Sequence, residues 1–143
     1  FIYIYYIQGN DDNEQAPNGD YGDAILERWT VNNTGNPTGI NPSSNVEILR
    51  VPQPGPDHKG GMMQFHAEDS YLYLSIGDGA YGHSAITSFP EVDGRTNNSA
   101  QDTTNLRGSI IRIQPLATPI NNQYYSIPSD NPFVGVAGFR PEI

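Results

Sequence analysis

The sequence predicts an all-β fold in which short antiparallel strands follow one another as a meander. Runs rich in aromatic and β-branched residues recur along the chain, and turn-rich gaps separate them. The 143 residues include 15 glycines and 12 prolines, which interrupt helices, and no stretch has the pattern of a long helix. The length is that of one ordinary domain.

The predicted strands can be taken in chain order from the hydrophobic pattern. Residues 24–31 and 71–76 alternate polar and apolar side chains and are rich in the residue types that fit a pleated, half-buried surface. The remaining predicted strands are 1–7, 46–51, 62–66, 109–114 and 124–127. Asn, Asp, Gly and Pro cluster in the gaps, as expected for turns.

Two connections are too long for hairpins. Residues 77–108 are rich in Gly, Asn, Ser and Asp, and loops of this length are usually functional or disordered. Within them, residues 100–106 are compatible with one helical turn. Residues 8–23 are acidic and have no apolar periodicity, which predicts a solvated surface loop, since their carboxylates lack the regular spacing of a calcium-binding loop.

The composition excludes several functional classes. Sixteen acidic and seven basic residues give a net charge of −9, which disfavours binding to nucleic acid or anionic membranes. No apolar stretch approaches the roughly 18 residues of a membrane span. Because cysteine is absent, disulfides, thiolate metal ligands and a cysteine nucleophile are excluded.

The two ends of the sequence suggest an excerpt of a longer protein. Residues 1–7 begin on an apolar run typical of the inside of a strand, and residues 139–143 stop where extended structure is expected to begin. The alternative is a self-contained small β domain with processed ends.

A count of strands brings three polar residues to one end of the predicted sheet. Two strands separate the turn containing Asp57 and His58 from the long loop containing Asp78, so the two connections emerge on the same side of an antiparallel meander. A histidine beside carboxylates can act as a general base near neutral pH. The alternative is a solvated or turn-capping histidine.

The other histidines carry weaker functional signals. His66 precedes a turn at a strand end, which indicates a structural role, while His83 lies in the long loop, where a ligand contact is compatible with the sequence but not required by it. The three histidines have no close metal-ligand spacing. The sequence also lacks the Gly-x-Ser-x-Gly elbow and the phosphate-binding glycine loops.

Several motifs in order resemble those of one known family, the soluble quinoprotein sugar dehydrogenases of the glucose/sorbosone dehydrogenase family. The resemblance is close over residues 46–143 and loose over the first 45. The motifs are ILRVPQP at 48–54, DHKGG at 57–61, YLYLSIGDG at 71–79, LRGSIIRI at 106–113, IPSDNPF at 127–133 and RPEI at 140–143.

The resemblance implies a six-bladed β-propeller whose blades are four-stranded antiparallel meanders, of which this chain would form about two blades. Residues 1–51 would form part of one blade, residues 52–127 the next blade with the long 77–108 loop, and residues 128–143 the start of a third.

The resemblance also implies an activity. Members of this family bind pyrroloquinoline quinone (PQQ) and calcium and oxidise the anomeric hydroxyl of aldoses to lactones. On this basis His58 would be the general base and Asp78 the carboxylate that orients it. Asp57, Gly77 and Gly79 would contact the cofactor. No metal ligand is assigned in this chain, because the calcium ligands are expected mostly outside it.

The expected partners are an aldose substrate and an electron acceptor, and the family resemblance implies a periplasmic or secreted protein. Two positions depart from the family pattern, Ala80 where a glycine run often continues and Ser109 where lysine is frequent. Because most of the cofactor site would lie in later blades, the isolated chain is expected to be inactive. The alternative function is a non-catalytic propeller that binds a sugar or a protein.

Overall fold

The computed structural model describes residues 1–9, 22–53, 55, 57–79 and 99–143. These residues form antiparallel sheets and one 3-10 turn at Ser99–Gln101, and they contain no α-helix. The all-β fold class is therefore confirmed. In the ranges that the structure describes, no helix is long and apolar enough to cross a membrane.

The described strands assemble into three sheets. Strands β1, β2 and β5 form a three-stranded sheet in the order β1-β2-β5, β3 and β4 form a short hairpin, and β6-β7-β8-β9 form a four-stranded meander. The bounds are β1 Ile2–Gln8, β2 Asp23–Trp29, β3 Val31–Asn32, β4 Gly39–Ile40, β5 Val46–Pro52, β6 Met63–Phe65, β7 Leu72–Ile76, β8 Ser109–Ile120 and β9 Gln123–Ser126.

The four-stranded meander has the topology of one propeller blade. The described residues of the chain form no closed ring of blades. The division into blades at 1–51, 52–127 and 128–143 stays a prediction.

The strand boundaries differ from the sequence prediction in three places. The predicted strand 24–31 ends at Trp29, and Val31–Asn32 pairs instead with Gly39–Ile40. Strand β8 continues past residue 114 to Ile120 and returns through Asn121 and Asn122, whose φ angles of 52° and 64° are those required by a type I′ hairpin turn. Residues 139–143 form turns in place of the expected extended structure.

The core lies between the three-stranded and the four-stranded sheets. Apolar side chains of both sheets belong to one buried cluster, so the two sheets pack face to face. Alternation along each strand produces these faces, because successive side chains point to opposite sides of the sheet. The cluster comprises Ala24, Leu26, Ile48 and Val51 of the first sheet, and Leu72, Leu74, Ile76, Leu106, Ile111, Ile113 and Tyr125.

One buried cation also joins the two sheets. Arg28 of β2 is only 5% exposed, and its guanidinium donates hydrogen bonds to the backbone carbonyls of Leu116 and Ala117 in β8. The same guanidinium lies 4.2 Å from the ring centroid of Phe1. These contacts offset part of the cost of burying the charge and link the first sheet to the second.

Candidate functional site

The candidate site lies at the end of the four-stranded sheet where the chain enters β6 and leaves β7. His58 lies in the turn before β6, and Asp78 lies two residues beyond the end of β7. The two strands are antiparallel, so these positions share one end of the sheet. The structure brings them into contact, with His58 Nδ1 3.2 Å from Asp78 Oδ1.

Main-chain contacts hold the two segments together. The carbonyl oxygen of His58 accepts a hydrogen bond of 2.9 Å from the N–H of Gly79. A Cβ atom at Gly77 would lie only 1.8 Å from the same carbonyl oxygen, so no side chain fits at this position. The absence of a side chain at Gly77 therefore permits the approach of His58 to the segment that carries Asp78.

The backbone of His58 is itself in an uncommon conformation. Its φ angle is 53°, in the left-handed region that non-glycine residues seldom adopt. Gly79, which donates to the His58 carbonyl, is buried and also has a positive φ of 66°. The hydrogen bond between the two segments thus joins two residues that both have positive φ angles.

A side chain from the first sheet reaches this turn. The hydroxyl of Tyr5, in β1, donates a hydrogen bond of 3.2 Å to the carbonyl oxygen of Lys59. Burial raises the pKa of Tyr5 to about 12, so the hydroxyl remains a donor at neutral pH. The sequence gives no signal for this contact, because the two residues are 54 positions apart and Tyr5 has the same pattern as a core aromatic residue.

The His58–Asp78 pair is open to solvent. The His58 side chain is 53% exposed and that of Asp78 is 31% exposed. Asp57 is exposed in the same turn. Partial burial lowers the pKa of Lys59, and the negative charge of Asp57 opposes this effect. The imidazole is therefore accessible to a small molecule from solvent.

The roles expected for Asp57, Gly77 and Gly79 at the cofactor stay predictions. The geometry nevertheless accounts for both glycines without a bound group. The space beside Gly77 is filled by the His58 carbonyl, and the N–H of Gly79 donates to that carbonyl. These glycines position the backbone of His58.

His66 lies at the opposite end of β6 from His58. Its Nδ1 is 3.7 Å from Asp69 Oδ1, and Asp69 also accepts hydrogen bonds of 2.9 Å from the N–H of Tyr71 and the hydroxyl of Tyr73. Although desolvation opposes the effect, these hydrogen bonds lower the pKa of Asp69. The contacts support the structural role predicted for His66. His83 lies outside the described residues.

The described parts of the chain contain no group of three or more His, Asp or Glu side chains arranged to hold a metal ion. Most of the acidic loop at 8–23 and residues 80–98 lie outside the described ranges. The calcium requirement therefore stays a prediction.

The chemistry of the pair follows from which imidazole nitrogen faces the carboxylate. Asp78 faces Nδ1, so it favours the neutral tautomer that carries its proton on Nδ1 and leaves a lone pair on Nε2. A carboxylate in this place also stabilises the imidazolium after proton transfer. The arrangement is suited to removing a proton from a hydroxyl group.

The chain is similar to a known protein family over its whole length and to two curated relatives over most of it. The model of the family described as Glucose / Sorbosone dehydrogenase matches residues 1–143. Over 131 residues the chain is 30% identical to the HIPL1 protein and 31% identical to the HIPL2 protein, both of Arabidopsis thaliana. Each alignment covers 83% of this chain but 17% of the relative, so the chain spans about a sixth of the length of these proteins. The match to the family model over all 143 residues shows that the chain belongs to the Glucose / Sorbosone dehydrogenase family.

Proposed function

We propose that the full-length protein is a quinoprotein oxidoreductase that oxidises the anomeric hydroxyl of aldose sugars to lactones. The observation that carries the proposal is the contact between His58 Nδ1 and Asp78 Oδ1 at a solvent-accessible end of the sheet. Membership of the Glucose / Sorbosone dehydrogenase family supports the class of reaction. Besides the aldose substrate, the protein would interact with an electron acceptor, and it would be periplasmic or secreted.

His58 acts on the substrate hydroxyl. Its Nε2 accepts the proton of the anomeric hydroxyl, while Asp78 holds the N–H of Nδ1 and stabilises the resulting imidazolium. Loss of this proton makes departure of hydride from C1 favourable, because the developing C=O bond of the lactone replaces the C–H bond. When bound, PQQ would supply the two-electron acceptor for that hydride.

The residues present fit the proton-transfer part of this reaction. The imidazole is half-exposed, its orientation is fixed by a carboxylate, and its backbone is held by Gly79. Asp57 is exposed in the same turn and would lie beside the cofactor. Gly77 would contribute indirectly, by leaving room for the His58 carbonyl, which occupies the space where a side chain would lie. The described residues contain no group arranged to hold calcium, and its ligands are expected mostly in other parts of the full-length protein.

The test uses the full-length protein supplied with PQQ and calcium, and follows dye reduction with a panel of aldoses. We expect His58→Ala to lower kcat/KM by at least about 100-fold, the usual contribution of a general base. The matched control is His66→Ala, which removes another half-exposed histidine near a carboxylate, at the opposite end of β6. This variant should retain activity within about twofold, since surface substitutions have small effects.

Two results would contradict the proposal. Oxidation that survives His58→Ala would remove His58 from the mechanism. A full-length protein that binds a sugar or a protein partner but reduces no dye with any aldose would indicate the non-catalytic propeller.

A further inference from the structure

We propose that Tyr5 is a positioning residue for His58, whose hydroxyl fixes the Lys59 carbonyl and so keeps the imidazole against Asp78. The inference rests on the proposed function for its catalytic consequence, but the positioning itself can be measured without turnover.

The turn that carries His58 has a backbone conformation that depends on its contacts. His58 has a φ of 53°, and such a backbone conformation persists only where surrounding contacts define it. Two successive carbonyl groups of this turn are held from different directions. The carbonyl of His58 accepts from the N–H of Gly79, and the carbonyl of Lys59 accepts from the hydroxyl of Tyr5.

These two hydrogen bonds come from different sheets. Gly79 follows β7 of the four-stranded sheet, whereas Tyr5 belongs to β1 of the three-stranded sheet. Without the Tyr5 hydroxyl, the turn would keep its hydrogen bond to the segment carrying Asp78 but would lose this hydrogen bond from the neighbouring sheet. Tyr5 thus couples the placement of the imidazole to the packing of one sheet on the other.

Tyr5 is suited to this role because its ring is fixed. The ring is partly buried against the hydrophobic core, which leaves the hydroxyl little freedom to move away from Lys59. The next residue on the same strand, Tyr6, has a hydroxyl with a different partner, since it donates a hydrogen bond of 3.2 Å to Glu27 Oε1. Removing either hydroxyl is the same chemical change on the same strand, so Tyr6→Phe is a matched control for Tyr5→Phe.

Two readouts measure positioning in the full-length protein. The first is the ¹⁵N spectrum of the His58 imidazole, which reports whether the neutral ring carries its proton on Nδ1 or on Nε2. The second is hydrogen exchange at the amide of Gly79, which reports opening of its bond to the His58 carbonyl. We expect Tyr5→Phe to shift the imidazole toward the Nε2–H tautomer and to accelerate Gly79 exchange by about fivefold, the effect of one lost hydrogen bond. Tyr6→Phe should change neither.

Dye reduction with an aldose then measures the consequence for the proposed activity. We expect Tyr5→Phe to lower kcat by about fivefold with little change in KM, because the base is less often in place while the substrate contacts remain. The control should retain both constants.

The outcomes separate the two proposals. If His58→Ala is inactive but Tyr5→Phe has an unchanged imidazole spectrum and unchanged Gly79 exchange, the positioning role is wrong and the proposed function stands. If His58→Ala still oxidises aldoses, His58 is not the general base of the proposed function, and the two spectroscopic readouts still decide whether Tyr5 positions His58. A Tyr5→Phe protein that loses amide protection throughout the first sheet would also overturn the inference, since the hydroxyl would then serve stability.

Discussion

The turn that carries His58 and the last residues of the chain use polar groups in opposite ways. At the His58 turn, backbone carbonyls accept the hydrogen bonds that hold the turn, and Gly77 has no side chain to block its approach. The side chains of His58 and Asp78 remain 53% and 31% exposed. Near the C-terminus, side-chain hydrogen bonds hold the final turns in place. We call Tyr125, Asn131, Arg140 and Glu142 the C-terminal cluster.

The C-terminal cluster surrounds a carboxylate that is only 3% exposed. Glu142 Oε1 accepts hydrogen bonds of 2.8 Å from the Tyr125 hydroxyl and 2.7 Å from Arg140, and Oε2 accepts a third from Arg140 at 3.1 Å. The amide of Asn131 donates 2.9 Å hydrogen bonds to the carbonyls of Arg112 and Pro141. The final turns are thereby attached to β8 and β9.

Glu142 and Asp78 differ in burial, and this difference suits one to stabilising the fold and the other to reaction. A buried carboxylate costs free energy unless donors surround it, and Glu142 has three hydrogen bonds that offset this cost. Asp78 remains partly solvated, and its carboxylate faces an imidazole whose other nitrogen can react. The buried, fully hydrogen-bonded carboxylate of Glu142 therefore joins segments of the fold, whereas the accessible carboxylate of Asp78 lies where proton transfer is proposed.

The substitution expected to have the largest effect is Gly77→Ala in the full-length protein. The new Cβ would overlap the His58 carbonyl oxygen, and backbone cannot move aside as a flexible side chain can. We expect destabilisation by about 3 kcal/mol, at the upper end for overpacking, measured by chemical unfolding. We also expect loss of the Nδ1–H tautomer of His58 in the ¹⁵N spectrum.

Gly60→Ala is the control for this substitution. No heavy atom lies within 4 Å of a Cβ built at Gly60, although it is only two residues from His58. Its effect should stay within about 0.5 kcal/mol. Equal effects of the two substitutions would contradict the close approach at Gly77.

In the C-terminal cluster, Glu142→Gln tests whether the buried charge supports the fold. The substitution keeps the shape of the side chain but leaves Arg140 and Tyr125 without their charged acceptor. We expect a loss of about 2 kcal/mol in the free energy of unfolding, below the full cost of breaking a buried pair because Arg140 is partly exposed. The unfolding midpoint in denaturant measures this loss.

Glu47→Gln is the matched control. Glu47 pairs with Arg50 at 2.5 Å, but both side chains are about 40% exposed, at 42% and 38%. Surface pairs of this kind contribute about 0 to 1 kcal/mol. If Glu47→Gln costs as much as Glu142→Gln, burial is not what distinguishes the C-terminal cluster.

The same contrast explains what the sequence could predict. Strands such as β7 have strict alternation, so their position and buried face follow from a local pattern. The proximity of His58 and Asp78 is also predictable, because two antiparallel strands separate them and so return the chain to the same end of the sheet. The long-range side-chain contacts are not predictable from the sequence, because the chain has many donors and acceptors and their pairing depends on how the sheets pack. Tyr5 and Lys59 are the example at the site.

The C-terminal segment shows the same limit in another form. The sequence predicts that residues 139–143 begin extended structure, but they form turns, and Glu142 is hydrogen-bonded to Arg112 of β8 and Tyr125 of β9. A buried Glu142 is contrary to the usual exposure of glutamate, so composition alone gives no signal for it. Strand β8 likewise extends through Pro115, because pairing with β9 overrides the weak strand propensity of proline.

The smallest expected effect is that of Tyr125→Phe, and its pH dependence is what makes it informative. Desolvation would raise the pKa of Glu142, but hydrogen bonds from Arg140 and Tyr125 hold it below the usual value of 4.5. A lowered pKa means that this carboxylate stabilises the fold fully above about pH 4.5 and loses that contribution as the pH falls through its folded value.

Tyr125→Phe should therefore cost about 1 kcal/mol near neutral pH, the contribution of one hydrogen bond. The difference from the wild type should shrink as the pH falls below about 4.5, because protonation of Glu142 weakens the hydrogen bond in the wild type as well. Unfolding of the full-length protein between pH 3 and 7 measures both, with Tyr124→Phe on the same strand as the control without pH dependence. A Tyr125→Phe cost that is constant over this range would show that the hydroxyl contributes packing alone, and the C-terminal cluster would then depend on Arg140 for its buried charge.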